Sequence, residues 1–470
     1  MMISADDTDL CLGHSVSNLN NHKKQVRRRI VNLIFVIYWL LIFEGALRKW
    51  VFPEYQRIIF FIRDPFVLLI YFWVFYYRMW TRRSLFLTIA VLLSTASLCL
   101  ILFHLLVNEY SLLLSAYGWR NYFFYIPLAF IIGEHFRVDD LNRLCRHTLL
   151  ITIPVAVLVF LQSLAPANSV INQGISKDPR NIFSNLGVVF GIVRTHGTFT
   201  STAGQNMFIG SVVAMVLTAW ILPQRERPLK RVALFVSTGA VISILALSGS
   251  RGAFLISFLI ILFSLLSGLV LSKAGTPFRS FAVPLAMALI GVLILPILFP
   301  VQLDALWYRS VGTAASDPYP YSFGIVVRTL NDFINFTHIF PNTPLSGFGI
   351  GMGTNAAARI GILGIPWNIE DDWSRNIVDL GPILGLFFIA FRIAFVGWLC
   401  SRAIVATKMS NNPLPMLLFG FIGIIIFYGQ ITGQGTICGY GWMFAGFCMA
   451  AKRLDMGHTG NNADTYLNVA

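Results

Sequence analysis

The chain has 470 residues, of which 56% are hydrophobic and only 12% are charged. Soluble domains carry roughly 25% charged residues, so this composition excludes an ordinary soluble enzyme and indicates a membrane protein. The formal net charge of +14 would suggest nucleic acid in a soluble protein. Here it indicates basic loops that face anionic membrane lipid, and we expect no nucleic-acid partner.

Twelve apolar runs, most of them near the roughly 20 residues that cross a bilayer, follow one another along the chain. They cover residues 30–47, 58–76, 84–107, 119–133, 148–165, 206–222, 232–248, 252–271, 280–299, 377–400, 413–430 and 436–451. If the N-terminus is cytoplasmic, every inner loop is basic, which predicts both termini in the cytoplasm. The sequence therefore predicts an all-α polytopic membrane protein with one transmembrane domain, residues 30–452. A disordered cytoplasmic tail, residues 1–29, precedes it, and a second tail, residues 453–470, follows it.

The largest interruption of this pattern, at about residues 299–375, is a large loop on the predicted outer side. Within it, residues 303–311 and 326–340 are predicted to form short helices along the membrane face. The segment Pro344–Gly353 then places glycine at every second position. Such a segment either exposes N–H groups that bind anions or forms a plain flexible turn, and both interpretations stay open.

Charged residues crowd the predicted outer ends of the first two spans. Glu44 and Arg48 are four residues apart, a spacing that places them on one helix face as a pair. Arg63 and Asp64 lie within an apolar run, where ionisable groups face the bundle interior. These residues either fix the helix ends by pairing or form one wall of an anionic substrate site.

Three further arginines lie at predicted outer ends. Arg120 opens the fourth span and is either an interfacial anchor or a substrate contact. Arg194 and His196 precede the sixth span, and Arg251 lies in the tight turn Ser248–Ala253. The planar guanidinium makes bidentate contacts to phosphate, so these residues are candidates for binding a lipid-linked phosphate. Loop capping and snorkelling are the structural alternatives.

The acids Glu370, Asp371 and Asp372 come just before the tenth span, and Arg375 beside them is a candidate substrate contact. Crowded carboxylates raise one another's pKa, which suits a general base. A solvated acidic helix start is the alternative. Arg328 lies in the same large loop. The acidic run is only a weak signal for a metal, and we expect neither a metal nor a cofactor.

The order of these features relative to the spans resembles the O-antigen polymerase and O-antigen ligase superfamily of bacterial envelope proteins. The resemblance covers residues 30 to 450, approximately. It is carried by the segments Glu44–Trp50, Arg194–Phe199, Ser248–Ala253, Pro344–Gly353 and Gly381–Gly385.

The resemblance implies a GT-C-like glycosyltransferase architecture in the bacterial inner membrane, in which a large periplasmic loop covers the site. It implies an enzyme that uses an undecaprenyl-pyrophosphate-linked oligosaccharide, without a nucleotide sugar or metal. A chain-length regulator protein is a candidate partner. By position, Arg194, Arg251 and Arg328 correspond to the arginines that hold the pyrophosphate.

The leading hypothesis is a polysaccharide polymerase. A hydroxyl of one lipid-linked oligosaccharide attacks the anomeric carbon of another, undecaprenyl pyrophosphate leaves, and an acid among Glu370, Asp371 and Asp372 accepts the proton. Ligases of the superfamily typically carry a His-Asn motif where this chain has acids and a tryptophan, which favours the polymerase. The alternatives are ligase-type transfer to an acceptor and a transporter or flippase for lipid-linked glycans. Charges cluster at span ends, except Arg392, and this weakens the transporter hypothesis.

Overall fold

A computed structural model describes residues 5–80, 84–107, 111–175, 193–272, 275–311, 334–354 and 371–451. For residues 5–21 and 309–311 it describes the backbone only. Two predicted site residues, Arg328 and Glu370, lie outside the described residues.

The described residues are helical, with no strand among them. The α-helices are α1 (Ala5–Ala46), α2 (Gln56–Ile59), α3 (Asp64–Tyr76), α4 (Leu85–Val107), α5 (Leu112–Trp119), α6 (Ile126–His135), α7 (Val138–Leu164), α8 (Thr202–Ile221), α9 (Arg231–Leu247), α10 (Arg251–Gly268), α11 (Thr276–Leu298), α12 (Pro300–Val311), α13 (Asp372–Ser410), α14 (Leu414–Phe427) and α15 (Gly435–Ala450). Short 3₁₀ turns cover Pro53–Tyr55, Val170–Asn172, Gln224–Glu226 and Phe340–Asn342, and π-helical turns cover Leu47–Val51 and Arg120–Phe124.

Eight helical stretches of the described residues are long and apolar enough to cross a membrane, so the chain is a multi-pass helical membrane protein. They are His22–Val51, Pro53–Tyr76, Leu85–Val107, Val138–Leu164, Thr202–Ile221, Arg251–Gly268, Thr276–Leu298 and Asp372–Ser410. Each coincides with a predicted span. The other four predicted spans fall on shorter helices, namely α5 with α6, α9, α14 and α15. A total of twelve spans stays a prediction.

The N-terminal tail differs from the sequence-based prediction. Residues 1–29 were expected to be disordered, whereas α1 already begins at Ala5. The side chains from residue 22 onward give a physical reason. Val26 and Ile30 are buried, and Arg27 pairs with Asp140 of α7 at 2.7 Å. These contacts stabilise the helix in the polar segment that precedes the membrane span.

The described part of the large loop is consistent with the predicted short helices. Helix α12 covers the first of them, and residues 334–339 form a helical turn at the end of the second. Residues 326–333 of that second helix lie outside the described residues.

Helices α6 and α15 form the tightest part of the core. A Cβ atom added to Gly133 of α6 would lie 2.9 Å from Cβ of Met449, and one added to Gly446 of α15 would lie 2.7 Å from the carbonyl oxygen of Ala129. Small residues at such positions let membrane helices approach closely. The resulting contact holds the C-terminal halves of α6 and α15 together, on the side of the bundle away from the site described below.

Two helix irregularities position charged residues. Gly381 has φ 80° and ψ 166°, so it divides α13 into residues 372–380 and 382–410. Pro382 cannot continue the backbone hydrogen bonding and disfavours a helical residue before it, and glycine tolerates the positive φ. The predicted span 119–133 is likewise interrupted, by the π turn Arg120–Phe124. Such π turns often occur at functional sites.

Candidate functional site

One end of the bundle gathers most of the predicted site residues, and we call it the charged end. It comprises the C-terminal end of α1, the N-terminal ends of α3, α10 and α13, the π turn between α5 and α6, and residues 193–201, 344–354 and 428–434. Hydrogen bonds, ion pairs and side-chain contacts connect these segments. Its main ionisable side chains belong to Glu44, Arg48, Lys49, Arg63, Asp64, Arg120, Arg194, His196, Arg251, Asp371, Asp372, Arg375, Asp379 and Arg392.

Glu44 accepts two arginines. Its carboxylate lies 3.1 Å from Nη1 of Arg48 and 2.8 Å from Nε of Arg63. The predicted Glu44–Arg48 pair is therefore confirmed. Arg63, which lies farther away along the chain, is a second partner of Glu44. Arg63 is fully buried, as expected of an ionisable group within an apolar run, and its Nη2 also donates to the carbonyl oxygen of Gly435.

Arg120 is held by Asp64. Its Nε and Nη2 donate to the two carboxylate oxygens at 2.6 and 2.8 Å, a bidentate pair. The hydroxyl of Tyr125 donates to the same carboxylate at 2.7 Å, and the guanidinium also lies 5.1 Å from the ring centroid of Phe60. This geometry favours the anchoring interpretation of Arg120, because the fork that would hold a phosphate is occupied by a carboxylate.

Asp372 is the counter-ion of two buried arginines. Its oxygens lie 2.6 Å from Nη1 of Arg375 and 2.6 Å from Nη1 of Arg392, and the hydroxyl of Thr432 donates to it at 2.8 Å. All three charged side chains are at most 2% exposed. Arg392 also donates to the carbonyl oxygens of Ile426 and Gly429. The charge of Arg392, which the sequence placed within a span, is therefore neutralised by Asp372, and its other two nitrogens are used.

Asp371 begins α13. Its side chain accepts the N–H of Ser374 at 2.7 Å as an N-cap and the amide of Asn335 at 3.0 Å. This geometry agrees with the acidic helix start that the sequence left as an alternative to a base. The side chain is buried, however, and not solvated as that alternative expected.

The glycine-rich segment is packed against α13. The N–H of Phe348 donates to the carbonyl oxygen of Val378, and the N–H of Gly353 donates to the carboxylate of Asp379 at 2.7 Å. Gly347 has φ 69°, and a Cβ atom there would lie 2.5 Å from the backbone nitrogen of Gly381. Close backbone approach therefore explains the glycine there, and these two N–H groups are used within the protein.

Residues 193–201 are held by Gln162 of α7, which is fully buried. Its amide nitrogen donates to the carbonyl oxygen of Gly197 at 3.1 Å, and its oxygen accepts the N–H groups of His196 and Gly197 at 3.3 and 2.8 Å. Gly197 has φ 56°, which glycine adopts at little cost. These contacts fix Arg194 and His196 at the charged end.

Lys49 and His196 lie close to each other in the interior beside residues 193–201. Lys49 is 2% exposed, and its ammonium donates to the carbonyl oxygen of Gly197 at 2.9 Å. His196 is 4% exposed, and its Nδ1 has no hydrogen-bond partner among the described residues. Burial, together with the nearby cations Lys49 and Arg194, lowers the pKa of His196 to about 3, so the imidazole is neutral. The hydroxyl of Thr198 is also buried there without a partner in the described part of the chain.

Arg194 and Arg251 complete the loop side of the site. Nε of Arg194 donates to the carbonyl oxygen of Gly249 at 3.3 Å, which places it in the turn that carries Arg251. Burial and the repulsion from Arg251 lower the pKa of Arg194. Arg251 is exposed at the first position of α10. Within the described ranges, no carboxylate lies within ion-pair distance of Lys49, Arg194 or Arg251.

The charged end thus contains two kinds of cation. Arg48, Arg63, Arg120, Arg375 and Arg392 are paired with carboxylates. Lys49, Arg194 and Arg251 form what we call the unpaired cluster, with His196 beside it. This cluster is suited to an anion, because burial strengthens electrostatic interactions and the missing negative charge is not supplied by the described residues.

The sequence analysis did not identify Gln162, Tyr122 and Asp379 as parts of the charged end, and it gave Lys49 no individual role. Gln162 lies near the end of the predicted span 148–165, directly after an apolar run. This was a usable signal, since a polar residue in a span is costly unless it is bonded. The hydroxyl of Tyr122 donates to Asp379 at 3.2 Å, and nothing local in the sequence indicates that contact.

Comparison with protein-family models, with curated proteins and with solved structures found no match for this chain.

Proposed function

We propose that the protein is a glycosyltransferase of the bacterial inner membrane that polymerises polysaccharide from undecaprenyl-pyrophosphate-linked oligosaccharide units on the periplasmic side. In this proposal the unpaired cluster binds the diphosphate of the donor. The glycan then lies against the charged end, and the polyprenyl chain lies along the apolar helices.

The observation that carries the proposal is the excess of positive charge in the unpaired cluster. Five other cations of the charged end each have a carboxylate within 3.1 Å, namely Arg48, Arg63, Arg120, Arg375 and Arg392. Lys49, Arg194 and Arg251 have none among the described residues, although Lys49 is 2% exposed. A diphosphate at the depth of the lipid headgroups matches this charge, and arginine is the side chain whose geometry suits phosphate oxygens.

The arrangement also suits the chemistry of such a transfer. When an acceptor hydroxyl attacks the anomeric carbon, the bond to the diphosphate breaks and negative charge grows on the leaving oxygen. Cations that are already in place stabilise that charge without reorganising, which is usually a large contribution to catalysis. The neutral His196 offers Nδ1 as a hydrogen-bonding group to the same ligand.

The proton acceptor stays a proposal among the predicted acids. Asp372 pairs with Arg375 and Arg392, and Asp371 caps α13 and accepts the amide of Asn335. Glu370, which lies outside the described residues, is the acid that these contacts leave as the first candidate. Ligase-type transfer to a different acceptor would use the same donor site. A transporter is supported less, because the buried charge of Arg392 is neutralised by Asp372 and is not available to carry or to gate an anion.

The proposal is tested by complementing a deletion strain with variants of the unpaired cluster. Arg194→Ala and Arg251→Ala should abolish long-chain polysaccharide and leave single lipid-linked units in the outer leaflet, because the diphosphate is no longer held. Arg57→Ala is the matched control, since Arg57 is an exposed arginine of α2 that lies outside the cluster. Chain length is measured by gel electrophoresis, and the amount of each variant in the membrane is measured in parallel.

Three outcomes distinguish the classes. Wild-type chain lengths in both variants, at normal protein levels, contradict the site. Units that accumulate in the cytoplasmic leaflet of the deletion strain indicate a flippase instead. Free, unattached polymer in that strain indicates a ligase.

A further inference from the structure

Exposed cations also gather at the opposite ends of α1 and α7 from the charged end. They are Lys23, Lys24, Arg28 and Arg29 on α1, and Arg143 and Arg146 on α7. From Arg143 to Leu164 helix α7 extends about 30 Å at 1.5 Å per residue, roughly the thickness of the hydrocarbon core. Because Gln162 belongs to the charged end, Arg143 and Arg146 lie at headgroup depth on the other side.

Arg143 and His147 are held in place between the two helices. Nη1 of Arg143 donates to Oδ1 of Asn32 at 3.4 Å, and its guanidinium lies 4.5 Å from the ring centroid of Phe35. The ring of His147 lies 5.5 Å from that of Phe35 and 5.6 Å from that of Trp39. An arginine that stacks on an aromatic ring and bonds to an amide keeps a defined position, unlike a cation that only extends into water.

The exposed cations at this surface outnumber the acids of α7, which are Asp139 and Asp140. Asp140 is engaged by Arg27 at 2.7 Å and by the backbone N–H of Arg137 at 3.0 Å. Among the described residues, no carboxylate pairs with Arg143 or Arg146. Nδ1 of His147 is buried without a hydrogen-bond partner in the described part of the chain.

Below the cations the surface becomes apolar. Val36 of α1 and Leu150 of α7 are 38% and 39% exposed, and Val157 and Phe160 continue the exposed face of α7. A lipid molecule has this same order, with an anionic group at the surface and hydrocarbon beneath it.

We propose that Arg143, Arg146 and His147 of α7, with Asn32 and Trp39 of α1, form a binding site for the headgroup of an anionic phospholipid. The phosphate contacts the two guanidinium groups, the ring of His147 packs on Phe35 and Trp39 beside them, and the acyl chains lie along Val36 and Leu150. This site is independent of the proposed function, because it lies one membrane thickness from the unpaired cluster and shares no residue with it.

The test measures lipid binding to the full-length protein in a neutral detergent by native mass spectrometry. Phosphatidylglycerol is titrated into the wild type, with phosphatidylcholine as the zwitterionic comparison. The double variant Arg143→Gln/Arg146→Gln should bind phosphatidylglycerol about 30-fold more weakly, which corresponds to about 1 kcal/mol for each cation removed. The double variant Arg402→Gln/Lys408→Gln of α13 removes two exposed cations elsewhere and should bind like the wild type.

A second variant keeps the test valid if the arginine double variant is unstable. Arg146→Gln alone removes one exposed cation and keeps the contacts of Arg143 with Asn32 and Phe35, so it should weaken phosphatidylglycerol binding about fivefold. An equal loss in the α13 control, equal binding of phosphatidylcholine, or full displacement of the lipid by inorganic phosphate at millimolar concentration would overturn the proposal.

Discussion

At the scale of single residues, the acids at the start of α13 show which roles the sequence can predict and which it cannot. Three adjacent acids beside an arginine were candidates for a general base, and local spacing could not separate them. The structure separates Asp371, which caps the helix, from Asp372, which neutralises Arg375 and Arg392. Arg392 lies 20 residues away along the chain, so the identity of the second partner depends on packing that no local pattern contains.

Replacing these two acids by asparagine should therefore have very different effects on stability. Asp372→Asn removes the carboxylate that pairs with buried Arg392 and Arg375 and should destabilise the protein by roughly 3–5 kcal/mol. Asp371→Asn should change stability by less than about 0.5 kcal/mol, because asparagine caps helices as well as aspartate does. Thermal unfolding of the purified variants in detergent measures both. Equal midpoints would show that Asp372 does not carry the paired charge.

His196 predicts a pH dependence of stability. Its pKa is lowered to about 3 in the folded protein, against about 6.5 for an unperturbed histidine. The folded state therefore binds fewer protons than the unfolded state between these values, so the stability that is present above pH 6.5 is lost as the pH falls below it, by up to about 1.4 kcal/mol per unit.

The measurement compares the wild type with His196→Gln at pH 7.5 and pH 5.5. The wild type should lose more thermal stability than the variant over this interval, since the other titrating groups contribute equally to both. Parallel losses would indicate that His196 is accessible and ionises in the folded protein.

At the scale of elements, hydropathy predicts where helices lie but not where they break. The eight long spans follow from the length of the apolar runs, because a spanning segment must satisfy its backbone within itself. The break at Gly381 was marked in the sequence by glycine followed by proline, yet the run around it is apolar and reads as continuous. The π turn Arg120–Phe124 had no comparable signal, and it is this turn that places Arg120 against Asp64.

The kink in α13 can be tested with a pair of glycine substitutions. In Gly381→Ala the new Cβ atom would collide with the carbonyl oxygen of Leu345, at a φ of 80° that alanine avoids. We expect a loss of about 3 kcal/mol or more. Gly239→Ala, inside α9 with no atom within 4 Å of the new methyl group, should stabilise by about 0.5–1 kcal/mol. Similar midpoints for the two variants would mean that residues 344–354 do not pack against the kink.

At the scale of the whole molecule, the sequence predicts that cations gather at the ends of spans, and the structure brings many of them to one end. Hydropathy fixes the depth of a charged residue in the membrane. It does not fix which charges meet, since Glu44 bonds to Arg63 and Lys49 reaches Gly197 across 148 residues of sequence. The division into paired and unpaired cations, on which the proposed donor site rests, follows only from the assembled bundle.

The most direct test of that division is the binding of a polyprenyl diphosphate to the purified protein in lipid nanodiscs. Arg194→Ala and Arg251→Ala should each weaken binding about tenfold or more, as expected when a charge-assisted hydrogen bond worth about 1.5–3 kcal/mol is removed. Arg57→Ala should bind like the wild type, and the uncharged polyprenol should bind far more weakly to all of them. Affinities for the diphosphate that are equal in the wild type and both cluster variants would contradict the account.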